Sequence, residues 1–213
     1  VSFSWQGLRT VARFFWSFEA RRKVKKLLED KKIDLVHLHN FNHQISPSIL
    51  SIFKKKNIPV IMTVHDYSLV SPNANLFVKG KVYDKMLSYA AWLKDRCVKD
   101  SFWASLVVTL EMYFHHKILN IYQKNIDKYI CPSKFVANKL IKAGFNKNKV
   151  EVLNNFIKPI NIKEDGNTEE YILHYGRLSA EKGIDVLIKA MQDLSNIRLK
   201  IIGTGPQEKE LKQ

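Results

Sequence analysis

Short continuous apolar runs alternate with helix-like patterns along most of this chain, and each run stops at a polar or glycine-bearing residue pair. The runs are 33–38 (Ile-Asp-Leu-Val-His-Leu), 59–64 (Pro-Val-Ile-Met-Thr-Val), 128–131, 150–153, 171–175 and 198–202. Strands that read as continuous rather than alternating hydrophobics are buried on both faces, which is what a parallel sheet covered by helices requires. The chain is therefore expected to be α/β, with parallel sheets and helical crossovers. The run endings are His39-Asn40, His65-Asp66, Pro132-Ser133, Asn154-Asn155, Gly176-Arg177 and Gly203-Thr204-Gly205. Open α/β sheets bind ligands beyond the carboxyl ends of their strands. Six such endings predict a crevice lined with polar groups and glycine backbone.

Between the strands, helices are expected over 8–30, 47–56 (Pro47 in the first turn), 101–126, 133–143 and 184–195, with another starting after Pro206. Ser133 reads as the N-cap of 133–143 and Gly144 as its stop. Residues 74–100 look mixed and loop-like around Gly80. Residues 158–169 are polar, contain Pro and Gly, and read as a linker. These boundaries predict an N-terminal domain over 1–157, a linker over 158–170 and the start of a second domain over 171–213. Nothing before residue 30 resembles a first strand, and the last residues fall inside a helical pattern. Both observations predict a piece of a longer protein.

Hydrophobic content of 46% with 12 Phe is enough for a substantial core. No stretch reaches the roughly 20 uninterrupted apolar residues of a membrane span. The nearest, 102–110, is ended by Glu111, and the first apolar patch is broken by Arg9 and Arg13, unlike a secretory leader. Cys97 and Cys131 are too few for a disulfide framework or a metal site, which suits a reducing cytoplasm. The net charge of +15 leaves nucleic acid, an anionic membrane surface or a polyanionic substrate as partners. The cations at 21–23, 25–26 and 54–56 come with no recognition-helix or stacking motif, which disfavours nucleic acid. The apolar residues of 101–126, among them Trp103, Leu106, Val107, Leu110, Met112, Tyr113, Phe114, Ile118, Leu119 and Tyr122, are expected to pack on the N-terminal sheet. The alternative is contact with anionic lipid at the inner face of the cell membrane, which would suit a lipid-linked acceptor.

Residues 171–183 (Tyr-Ile-Leu-His-Tyr-Gly-Arg-Leu-Ser-Ala-Glu-Lys-Gly) carry the most specific chemistry. An apolar strand breaks at Gly176, two cations follow at Arg177 and Lys182, and a helical pattern starts at Ile184. Helix N-termini favour negative charge, so fixed cations there suggest a phosphate or diphosphate ligand.

Taken in order, the stretches 34–40 (Asp-Leu-Val-His-Leu-His-Asn), 63–66 (Thr-Val-His-Asp), 132–135 (Pro-Ser-Lys-Phe), 150–157, 172–190 and 202–206 (Ile-Gly-Thr-Gly-Pro) resemble those of family 4 of the glycosyltransferases. These are retaining nucleotide-sugar enzymes of the GT-B fold, and the resemblance covers most of residues 33–213. It implies two Rossmann-like parallel-sheet domains, acceptor on the first and donor nucleotide on the second. It also implies transfer of a sugar from a nucleoside diphosphate, UDP- or GDP-linked, to a hydroxyl of a glycan or lipid-linked acceptor, and the basic, aromatic-rich N-terminal domain points to cell-surface polysaccharide or glycolipid synthesis.

By the same resemblance, Arg177 and Lys182 hold the donor diphosphate, and His65 lies near the donor sugar. Gly176, Gly203 and Gly205 bring backbone close to the donor, while His39, Asn40 and Asp66 line the acceptor cleft. Asn155 falls near an interdomain hinge, though Phe156 stands where many relatives have glycine. No DxD-like metal signature is present, so a metal-independent reaction without a cofactor is expected. Close relatives often carry several cysteines around a Leu-Phe…Gly-Lys pattern. Here Leu76-Phe77 and Gly80-Lys81 remain with Cys97 alone, and neither metal nor disulfide is expected. The family's paired glutamates and N-terminal glycine loop have no counterpart in the chain, which predicts that these 213 residues alone are inactive.

Overall fold

The computed structural model describes residues 5–41, 45–159, 170–194 and 196–212. The chain divides into two compact units, Val1–Phe156 and Ile157–Gln213. Most of the expected linker, 160–169, lies outside the described residues.

The N-terminal unit runs α1 (Trp5–Phe15), α2 (Phe18–Asp30), β1 (Val36–His39), α3 (Leu50–Lys55), β2 (Val60–Thr63), β3 (Phe77–Val78), β4 (Lys81–Val82), α4 (Tyr89–Lys94), α5 (Phe102–Tyr113), α6 (Ile121–Asn125), β5 (Lys128–Cys131), α7 (Lys134–Lys142) and β6 (Val150–Val152). Strands β1, β2, β5 and β6 form one sheet in that order. All three pairings are parallel, with Val36 opposite Val60, Ile61 opposite Lys128 and Tyr129 opposite Val150. Because every strand points the same way, the endings His39, Thr63, Cys131 and Val152 share one edge. The main core gathers Leu38, Leu50, Val60, Met62, Tyr129 and Leu140 between sheet and helices. A second, smaller core holds Tyr83, Trp92, Cys97 and Met112 beneath α4 and α5. Both cysteines are free and buried.

Local chemistry explains where the elements start and stop. The expected helix 8–30 is two helices, because Ser17 takes an extended backbone and its hydroxyl accepts from Ala20 N at 3.2 Å, capping α2. The same serine enters a buried polar knot: its N–H donates to Ser46 Oγ at 3.1 Å, and Ser48 Oγ donates to its carbonyl at 3.3 Å. Arg21 adds bonds to Ser48 O and, at 2.8 Å, Ser51 Oγ. The knot fixes the α1–α2 corner to the short 3-10 turn Pro47–Ile49 before α3. Ser133 caps α7 through Val136 N, and Gly144 follows with φ +89. The mixed stretch 74–100 contains the hairpin β3–β4, turned through Gly80 at φ +75, and α4.

The expected single helix 101–126 is also corrected. It comprises α5, a π-helical turn at Phe114–Ile118 and the separate α6, with Asn120 in the left-handed region at the break. Its apolar residues do not pack uniformly on the sheet. Met112 and Tyr122 are buried, whereas Trp103, Leu110, Tyr113 and Ile118 are exposed. No helix among the described residues is long and apolar enough to cross a membrane.

The C-terminal unit contains β7 (Tyr171–Tyr175), α8 (Ile184–Met191), β8 (Arg198–Ile202) and α9 (Glu208–Leu211). Strands β7 and β8 pair in parallel from Tyr171–Arg198 to Tyr175–Ile202. Helix α8 ends four residues before the expected Ser195, with Gln192 at its C-cap.

Candidate functional site

At the carboxyl edge of the N-terminal sheet, side-chain direction is set by strand period. His37 and His39 are two apart on β1 and so share a face. In register beside them lies Thr63, and His65 follows two residues on. His37 Nε2 lies 2.8 Å from Thr63 Oγ1. His39 Nδ1 lies 2.8 Å from His65 Nε2, with the two rings stacked at 5.1 Å between centroids. His37 packs against His39 in turn at 4.2 Å. The edge thus carries three exposed imidazoles in contact, of which His37 is not among the residues expected from sequence. Its signal is the His-x-His spacing on a predicted strand.

One imidazole of the His39–His65 bond must offer a lone pair, so that nitrogen is unprotonated. Removal from water and the neighbouring His37 and His65 hold His39 below the usual histidine value, which favours the neutral form there. The Asp66 carboxylate accepts from Ser68 N at 2.9 Å in the loop after β2. Asn40 ends β1 in the left-handed region at φ +38. The other two endings on this edge, Ser133 and Asn155, are a helix cap and an exposed loop residue.

The carboxyl edge of the C-terminal sheet is built differently, from backbone. Gly176 N donates to Ile202 O at 2.9 Å and Leu178 N to Thr204 O at 2.9 Å, so the β7–β8 ladder continues into both loops. This zipper leaves no room for a side chain at 203 or 205. A Cβ on Gly203 would stand 1.8 Å from Gly176 O, and one on Gly205 would stand 2.2 Å from Leu178 O. Gly176 and Gly203 also take φ +150 and +154, which L-residues avoid. All three expected glycines therefore hold the two loops together.

The zipper positions the cations. Leu178 and Ser179 are buried, while Arg177 before them and Lys182 after them in sequence are exposed. Ser179 Oγ donates to Glu181 Oε1 at 2.7 Å. That bond is the main reason the Glu181 carboxyl sits below its ordinary value, with Arg177 and Lys182 adding smaller contributions. Neither cation forms an ion pair with a carboxylate among the described residues. Gly183 then takes φ +62 and α8 begins at Ile184. Two cations and an uncapped helix start on a fixed loop frame can receive an anion. Among the described residues no group of three or more acidic, His or Cys side chains could hold a metal ion.

Comparison with known proteins finds family matches over both units. The model of Glycosyltransferase Family 4 matches residues 5–159, nearly the whole N-terminal unit. The chain belongs to this family. The model of Glycosyl transferases group 1 matches residues 156–213. The parallel α/β architecture is accordingly the Rossmann-like one of GT-B glycosyltransferases. An uncharacterized 42.6 kDa protein in the cps region of Klebsiella pneumoniae is 27% identical over 197 residues, covering 91% of this chain and 46% of that protein. An uncharacterized glycosyltransferase of Methanocaldococcus jannaschii is 27% identical over 188 residues, covering 88% of this chain and 41% of that protein. The chain thus spans less than half the length of either relative.

Proposed function

We propose that the protein transfers a sugar, with retention of anomeric configuration, from a nucleoside diphosphate to a hydroxyl acceptor. The observation that supports this best is the glycine-zippered loop pair, which presents Arg177 and Lys182 beside the start of α8. In such a reaction the bond between the sugar C1 and the diphosphate oxygen breaks while the acceptor oxygen bonds to C1. The acceptor proton passes to the leaving phosphate. Negative charge grows on that phosphate, so cations held in place stabilise the transition state more than the ground state. Arg177 supplies a planar donor fork and Lys182 a compact charge. His65, kept in orientation by His39, hydrogen-bonds a donor hydroxyl.

The donor is a UDP- or GDP-sugar and the acceptor a glycan or lipid-linked glycan of cell-surface polysaccharide or glycolipid synthesis. The relative from a cps region supports this pathway. Neither metal nor cofactor has a part in the proposed step. Titration calorimetry of the purified protein with UDP, GDP and ADP tests the site. One nucleotide should bind, and Arg177→Ala and Lys182→Ala should each weaken it by about tenfold to a hundredfold, the worth of one charge-assisted bond. A folded protein that binds none of the three would overturn the proposal in favour of a catalytically silent relative.

A further inference from the structure

Helix α5 and the π-helical turn that follows it present their side chains inside out. The buried face is Ser105, Thr109, Glu111, Met112 and His115. Outward, at helical spacing, stand Trp103 (72% exposed), Leu110 (50%), Tyr113 (46%) and Ile118 (60%), with half-buried Leu106 and Val107 between them. A helix beside water has the opposite arrangement.

The inward polar groups lock this orientation. His115 Nδ1 lies 2.6 Å from Glu111 Oε1, and its Nε2–H donates to Phe15 O at 2.8 Å, which ties α1 to the end of α5. Ser105 Oγ accepts from Val98 N at 3.1 Å. Rotating the helix to hide its ridge would carry the Glu111–His115 pair with it but break the bonds to Phe15 O and Val98 N. The ridge therefore stays outward, and its exposed apolar side chains call for an apolar partner.

Charge decides which partner. Residues 1–156 contain 26 Lys and Arg against 11 Asp and Glu, whereas residues 157–213 contain 9 of each, so the whole net charge of +15 belongs to the unit that bears the ridge. Lys94, Arg96 and Lys99 precede the ridge in sequence and Lys117 lies at its end, all four exposed. Glu111, the sole carboxylate of α5, is turned inward. A second copy would oppose these cations with their like. Nucleic acid would use the cations and leave Trp103 and Leu110 unexplained.

We infer that the outward face of α5 and its π-helical turn docks on an anionic lipid bilayer. The ridge enters the headgroup boundary, Trp103 and Tyr113 at its level, and the flanking cations neutralise lipid phosphates. This inference does not rest on sugar transfer, and its test uses no nucleotide. In vesicle flotation, the protein should bind phosphatidylglycerol–phosphatidylcholine vesicles and not phosphatidylcholine alone. Two double variants at exposed positions, Trp103→Ser with Leu110→Gln and Lys99→Glu with Lys117→Glu, should each bind at least about tenfold more weakly. Unchanged melting by circular dichroism would show both still folded. Vesicle binding undiminished in the first variant would overturn the proposal. So would duplex DNA binding that only the charge variant weakens, or a dimer that the first variant dissociates without any vesicle binding.

Discussion

A methyl group at residue 203 would lie 1.8 Å from Gly176 O, closer than any relaxed contact, on a backbone at φ +154. Gly203→Ala is therefore expected to open the zipper, destabilise the C-terminal unit by about 2–4 kcal/mol and abolish nucleotide binding. Chemical denaturation followed by calorimetry checks both. His116 carries a different prediction. It packs against Tyr122 at 4.9 Å and Phe145 at 6.1 Å, and burial pushes its value from 6.5 down to about 3. The folded state thus refuses a proton that the unfolded chain accepts below about pH 6.5. Stability is fully present above that pH and falls between about 6.5 and 3, by up to about 1.4 kcal/mol per pH unit. His116→Phe should flatten that slope in unfolding midpoints measured at neutral and acid pH. Sequence marks His39 and His65 through their place at strand ends, but it cannot announce their mutual bond. That contact depends on the β1–β2 register, which a succession of strands does not specify.

Elements are legible where a local signal coincides with burial. The strands of both sheets fall within a few residues of their expected spans because parallel strands are apolar on both faces and stop at polar residues. The stretch 101–126 departs from expectation for a related reason. Its hydrophobicity is nearly uniform around the axis, so pattern alone does not say which face is inward. The decision lies with Glu111 and His115, whose bond to Phe15 O spans 100 residues of chain. Asp127 sets another boundary from a distance. Its carboxylate accepts from Val60 N at 2.8 Å while its own N–H donates to Val60 O at 2.8 Å, fixing the start of β2 against β5. Asp127→Ala should leave the Val60 N–H unpaired and cost about 1–3 kcal/mol. Hydrogen exchange should show faster opening at Val60 than at Tyr129.

At the scale of the molecule, the two units divide their chemistry unequally. One concentrates positive charge and side-chain contacts; the other is electrically balanced and organises its loops with main-chain atoms. Raising salt should therefore weaken vesicle binding steeply, through the N-terminal unit, and should weaken nucleotide binding only by screening Arg177 and Lys182. Parallel titrations at low and high ionic strength would show the difference. The zipper at Gly176 and Gly203 has a longer consequence. Since the frame uses only peptide groups, the side chains at 204 and 206 are not needed to keep the two loops in register. Such a frame can be inherited unchanged while those positions are rewritten, so that new donor preferences arise by point substitution without the scaffold having to be reinvented.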